Sequence, residues 1–231
     1  IDAAECIASS SDGQMADLSP LENSLEPAWS NNGMPDNEMP ICDENSFNGK
    51  PGFNMQDIGV RTIDNIQLNE KNTMFAAVIT QNDIESFGAV IHHGHRDADF
   101  ILERDGNSSN MMLQTDNLGA CRIGIPWNEP VVYSGTIDNS LRRFWMHKED
   151  GTIEETQATH SGSNLGGNKR IFIGVGDAGS NHNGVIAEII YYNRELTDSE
   201  RLTVTNYLYN KWLNDVEVVG CQDPTACNYD A

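Results

Sequence analysis

The chain has 231 residues, with 35 acidic against 14 basic side chains and a formal net charge of −21 at neutral pH. That balance excludes nucleic acid or an anionic membrane surface as a partner held by direct charge attraction, and leaves neutral glycans, cations and basic surfaces open. The length suits one large β-sandwich core, and no apolar run reaches the roughly 18 residues of a membrane-spanning helix.

In chain order, the first 49 residues hold ten Asp/Glu and no Lys or Arg. We expect residues 1–47 to form a loop-rich acidic entry segment with one edge strand. The Asn48-Gly49 pair then signals a tight hairpin turn. Short apolar segments follow, among them "TMFAAVITQ", "FGAVIHHG", "DFILERD", "NMMLQTD", "CRIGIP", "PVVYSGTI", "RRFWMHKED", "KRIFIGVGD" and "GVIAEIIYYN". Asp105-Gly106, Asp150-Gly151 and the loop "GDAGSNHNG" separate several of them. About a dozen strands with no interleaved helices predict an all-β, antiparallel sandwich rather than βαβ units.

In "GVIAEIIYYN", strict alternation sets Val185, Ala187, Ile189 and Tyr191 on one side and Ile186, Glu188, Ile190 and Tyr192 on the other. Both sides are largely apolar, so this is a central strand covered on each face. Glu188 then needs a partner, and a structural hydrogen bond is the expected one. A capping box, Thr197-Asp-Ser-Glu200, opens the one convincing helix. Val204, Tyr207, Leu208 and Trp212 give it an apolar stripe that lies on the sandwich, so Trp212 belongs to packing rather than to a ligand.

The stretch "GVIAEIIYYNRELTDSERLTVTNYLYNKW" resembles the closing segment of laminin-G-like domains in the concanavalin A-like lectin/glucanase superfamily. There a last core strand, a Tyr-Asn turn, a Leu-Thr/Ser-Asp-x-Glu-Arg cap and a Tyr-Leu…Lys-Trp helix follow in that order. "NGKPGFNM" and "RIFIGVGD" resemble that family's early turn and the strand before its closing loop. The resemblance implies a jelly-roll domain over residues 1–216 and a role in binding carbohydrate or a glycoprotein, with calcium held at the rim. The tail "GCQDPTACNYDA" resembles a Cys/Asp repeat of large secreted proteins from marine bacteria and microalgae. It implies that residues 217–231 begin a linker repeat joining other domains of a longer parent protein.

Five cysteines suit an oxidising compartment, so a secreted or cell-surface location is expected. Cys221 and Cys227 can close a small loop, and Cys6, Cys42 and Cys121 carry no assignable pairing. Since residue 1 is Ile, we read a mature chain from which a signal peptide has been removed. Asn107-Ser-Ser is a glycosylation acceptor sequence.

Three sets of side chains are candidates for a site. In "HHGHRDADF", His93 and His95 share a strand face that Asp97 and Asp99 continue, a donor set for a transition metal; the bland reading is a polar strand end. Calcium prefers hard oxygens in loops, which Asp177, Asn181 and Asn183 supply alongside Asp97 and Asp99, although Asn, Asp and Gly also fill such a loop for its turn dihedrals. For a glycan, Trp127 and Asn128 in "GIPWNEP" offer an aromatic plane and an amide, joined by Tyr133, Trp145 and His147, each of which also suits core packing. No Gly-x-Ser-x-Gly, His-Glu-x-x-His or Glu-x-Asp-x-x-Glu pattern points to catalysis. A glycoside hydrolase or polysaccharide lyase on the same scaffold is the alternative to a lectin-like module, and a structural adhesion or spacer module is the third.

Overall fold

In a computed structural model of the chain, the structure describes residues 25–28, 39–55, 58–82, 88–94, 100–106, 108–115, 119–138, 140–159, 167–176 and 181–214. Their strands, in order, are β1 (Leu25–Pro27), β2 (Ile41–Phe47), β3 (Lys50–Asn54), β4 (Val60–Thr62), β5 (Ile66–Gln67), β6 (Asn72–Thr80), β7 (Ala89–His93) and β8 (Phe100–Arg104). Then come β9 (Asn110–Gln114), β10 (Ala120–Gly124), β11 (Pro130–Ile137), β12 (Leu141–Lys148), β13 (Ile153–Thr159), β14 (Asn168–Lys169), β15 (Ile171–Ile173) and β16 (Gly184–Tyr192). Helix α1 (Asp198–Leu208) follows and runs into a π-helical turn over Tyr209–Leu213.

Two seven-stranded sheets stack, one ordered β13-β12-β11-β6-β16-β3-β2 and the other β1-β4-β15-β7-β8-β9-β10, while β14 and β5 form a small ribbon. Every strand pairing between them is antiparallel, so the expected sandwich is the observed one. The strand β6 sits mid-sheet and is buried almost throughout, apolar from Met74 to Ile79, as befits a strand covered on both faces. Between the sheets, Tyr133 stacks on Phe144 with ring centroids 5.3 Å apart, and Phe100 of β8 meets Tyr191 of β16 edge-on at 5.9 Å. The sheets approach closely at Gly135, where a Cβ would lie 2.7 Å from Leu113.

The entry segment contributes two strands rather than one, and both lie at sheet edges. Asn48 and Gly49 take φ of 51° and 78°, the left-handed pair that a two-residue hairpin needs to join β2 and β3. Cys121 is a free, buried thiol, whereas Cys42 is disulfide-bonded.

The helix begins where the capping box places it. Thr197 Oγ1 accepts from the Glu200 N–H at 3.3 Å, and Glu200 Oε2 accepts from the Thr197 N–H at 2.8 Å. Arg194 grips the same carboxylate, and together these donors pull the Glu200 pKa down to about 2.

The buried stripe differs from expectation. Arg201, Thr205 and Leu208 are its buried residues, continued by Trp212 and Leu213, whereas Tyr207 is 47% exposed. The cause is the strand beneath. Asp198 reaches Arg143 at 3.7 Å, the Arg201 guanidinium lies 3.7 Å above the Trp145 ring, and the Tyr209 hydroxyl donates to the Glu149 carbonyl at 2.9 Å. Helix α1 therefore tracks β12, because four helical residues rise about 6 Å and two strand residues about 6.6 Å. An aromatic floor at Trp145 favours a flat cation over an aliphatic side chain.

Strand β16 carries a second departure. A bulge at Ala187 pairs Ile186 with Val78 and Glu188 with the adjacent Ala77, so Ile186 and Glu188 take opposite faces despite their spacing of two.

Candidate functional site: an amide-lined rim around Trp127

At one end of the sandwich the termini of β6, β8, β11 and β16 are tied together by main-chain contacts. The Asn128 N–H donates to the Thr80 carbonyl at 2.9 Å, and the Gln81 N–H donates to the Asn183 carbonyl at 2.9 Å. Asn181 forms a bridge with Ala89, next to Gly88, whose carbonyl accepts from the Arg104 N–H at 3.0 Å. The Arg104 guanidinium then sits 5.9 Å from the Trp127 ring centroid and closes the circuit. His182 is fully buried, and its N–H donates to the Gly174 carbonyl at 2.9 Å, which anchors the segment carrying both asparagines.

The local sequence explains the turn that presents Trp127. Pro126 opens it, the Glu129 N–H returns to the Pro126 carbonyl at 3.3 Å, and Asn128 takes φ of 62°, a conformation asparagine tolerates. Trp127 is left half-buried against the core edge, and Asn128 is exposed. Thr80 Oγ1, both side-chain polar atoms of Asn181 and Asn183 Oδ1 are shielded from solvent and have no hydrogen-bond partner. Native proteins rarely leave such atoms unpaired, so their clustering marks this rim.

The sequence-predicted glycan residues divide. Trp127 and Asn128 stand at the rim, but Tyr133, Trp145 and His147 are corrections, because all three are buried. Tyr133 packs between the sheets, where burial pushes its phenol pKa well up. Trp145 and His147 lie on the other face of the same sheet, under α1; burial, aided by the Arg201 charge, lowers the His147 pKa to about 4. Strand alternation separates Tyr133 from Trp145, since in the β11–β12 ladder Tyr133 is opposite Met146 and Trp145 is opposite Ser134.

The metal candidates also divide. His95, Asp97, Asp99 and Asp177 lie outside the described residues. His93 is buried with Nε2 2.9 Å from the Ile66 carbonyl, at the far end of β7 from the Ala89–Asn181 bridge. Four residues of strand, roughly 13 Å, separate the two places, so His93 and Asn181 do not share one ion. Among the described residues, no group of three or more His, Cys, Asp or Glu side chains is placed to hold a metal. Asn181 and Asn183 do reach the rim, Asn181 by its bridge to Ala89 and Asn183 by its carbonyl, which accepts from the Gln81 N–H, rather than lying beside His93.

Sequence reasoning missed Thr80, Gln81 and Arg104. Nothing local marks them, since their place at the rim follows from which strand ends meet. It also missed a buried pair, His92 Nε2 and Glu103 Oε2, 3.2 Å apart, with Gln114 donating to the other Glu103 oxygen at 2.9 Å.

No protein-family model and no curated protein matches the sequence. Among solved structures, the chain is similar to a Trypanosoma rangeli sialidase in complex with the inhibitor DANA, at 15% identity and a TM-score of 0.50, over 68% of this chain and 27% of that one. It is also similar to a GH54 α-L-arabinofuranosidase soaked with a cyclic sulfate inhibitor, at 15% identity and a TM-score of 0.52, over 72% of this chain and 42% of that one. The chain thus spans well under half the length of either protein. At such identities the likeness is one of fold: among the described residues this is an antiparallel jelly-roll β-sandwich with one amphipathic helix laid on a sheet.

Proposed function

We propose that the protein is a recognition module for carbohydrate, of laminin-G-like type, carried by a secreted or cell-surface parent. The observation that supports this reading is the rim itself: a half-buried Trp127, an exposed Asn128, the unpartnered Asn181 carboxamide and the unpartnered Asn183 Oδ1, on segments linked through four strand ends. An aromatic ring offers the apolar face of a sugar a plane, and amides serve its hydroxyls. Fold likeness to a sialidase and an arabinofuranosidase is compatible with this reading. Disulfide bonding at Cys42 accords with an oxidising compartment, and among the described residues no helix is long and apolar enough to cross a membrane.

The test is a glycan array probed with the full chain and with Trp127→Ala. Binding that the variant loses, with its melting temperature little changed, supports the reading; binding that survives the substitution overturns it.

Calcium is a second reading at the same place. The Asn181 and Asn183 carboxamide oxygens are hard donors that fit Ca²⁺, which on binding would fix the rim loop and supply positive charge. Metal analysis of the purified protein, with melting temperatures in chelator and in added Ca²⁺, decides it.

A further inference from the structure

We propose that the free edge of β13 is a docking site for an extended, basic segment of a partner protein, which joins the sheet as a further antiparallel strand. This surface is separate from the glycan reading and does not depend on it.

The direction of the main-chain groups follows from two hydrogen bonds. The Asp138 N–H donates to the Leu141 carbonyl at 3.0 Å, and the Lys148 N–H donates to the Thr152 carbonyl at 3.0 Å. Bonded and non-bonded pairs alternate along an antiparallel ladder, so the odd-numbered residues of β12 bond to β11 and the even-numbered ones to β13. Glu154, Thr156 and Ala158 of β13 therefore turn their main-chain groups toward β12. Ile153, Glu155, Gln157 and Thr159 turn theirs outward, where among the described residues no further strand pairs with them. These four are also the exposed residues of the strand.

The other sheet ends are blunted. β1 has three residues and ends in Pro27, β2 is broken by a bulge between Asp43 and Phe47, and β10 has five residues with the charged Arg122 among them. β13 runs for seven residues without proline and keeps unbroken register with β12. An incoming strand can therefore use its outward N–H and C=O groups in the way peptides extend a sheet.

Charge selects the occupant. Lys148 holds Glu154 at 2.6 Å, whereas Glu155 is exposed and makes no ion pair among the described residues. An added antiparallel strand sets one side chain directly opposite Glu155, and a basic residue there pairs with it. Two places further along, an apolar residue meets Ile153, which is 56% exposed. A second copy paired about Thr156 would instead set two Glu155 carboxylates diagonally across the join, and each chain carries a net charge of −21. The fitting partner is thus a basic strand from another protein.

The test titrates the full chain, followed by amide NMR, with the peptide Val-Thr-Thr-Thr-Lys-Thr-Val and with its Glu-for-Lys counterpart. In antiparallel register the Lys faces Glu155 and the last Val faces Ile153. The expected result is saturable binding of the lysine peptide by millimolar concentration, with hydrogen exchange at Ile153, Glu155, Gln157 and Thr159 slowed about tenfold or more and that at Thr156 little changed. The glutamate peptide binds about fivefold more weakly or worse at low salt, and the gap narrows as salt is raised. Glu155→Lys reverses the order of the two peptides. Gln157→Pro, which removes an outward N–H and no bond to β12, weakens the lysine peptide about tenfold or more while the melting temperature changes little.

No saturable binding, equal affinity of the wild type for both peptides, or an unreversed order in Glu155→Lys overturns the proposal, as does undiminished binding by folded Gln157→Pro. Should Gln157→Pro fail to fold, the reversal at the exposed Glu155 decides.

Discussion

The Trp212 indole N–H donates to Glu188 Oε2 at 2.7 Å, and the Lys211 ammonium lies 3.1 Å from the same oxygen. The π-helical turn is thereby pinned to a buried carboxylate on β16. Trp212→Ala removes a fully buried side chain and one donor to that carboxylate, so a loss of about 3–5 kcal/mol is expected in urea unfolding. Trp212→Phe keeps most of the packing and costs about 1–3 kcal/mol through the lost hydrogen bond to a charged group, although Lys211 and the Tyr207 hydroxyl still meet Glu188. Adding Glu188→Leu to Trp212→Phe recovers part of that loss; strict additivity of the two changes would show that the contact carries no coupling.

Tyr133 is fully buried, and its hydroxyl has no partner. Tyr133→Phe deletes the stranded oxygen and keeps the stacking on Phe144, so it stabilises the protein, by up to about 1–3 kcal/mol. It leaves glycan binding unchanged. Destabilisation on this substitution would show that the hydroxyl is paired in solution.

His147 resists protonation in the fold, with a pKa of about 4 against an ordinary 6.5. The unfolded chain therefore binds more protons between those two values, and stability is lost as pH falls from about 6.5 to about 4, by an amount on the order of 2–3 kcal/mol. Protonation there also sets a second positive charge beside Arg201. Urea unfolding at pH 7 and pH 4.5 for wild type and His147→Leu isolates the effect, because the carboxylates titrate in both. Equal pH slopes would place His147 in contact with solvent.

Cys121 is 1% exposed, its Sγ donates to the Arg142 carbonyl at 3.4 Å, and burial raises its pKa. Its thiol should stay unmodified by iodoacetamide for hours in native buffer and react at once in denaturant, read by peptide mapping. Rapid native labelling would mean that β10 opens from the sandwich edge.

Period-two apolar runs made β6 to β12, β15 and β16 legible in the sequence, since each buries at least one face. The edge strand β13, "IEETQAT", escaped because both of its faces are exposed or half-exposed, which leaves no apolar periodicity to read. The capping box fixed the start of α1 from four residues, but its buried stripe was misread because Arg201 counts as polar until Trp145 is known to lie beneath it. The bulge at Ala187 has no local signature and reversed half of a strand. For the site, Trp127, Asn128, Asn181 and Asn183 stood out as aromatic and amide residues in turns. Their meeting at one rim, and the separation of Tyr133 from Trp145 by a sheet, are matters of strand order that one-dimensional spacing does not encode.

The helix that covers the β13-to-β2 sheet is made after every strand beneath it. During synthesis, Trp145, Ser134 and Glu188 must wait bare until residues 197–213 leave the ribosome, so the sheet's outer surface is the stickiest part of the nascent chain. Nonsense or frameshift lesions just upstream of Thr197 should then yield insoluble product even though all sixteen described strands have been translated.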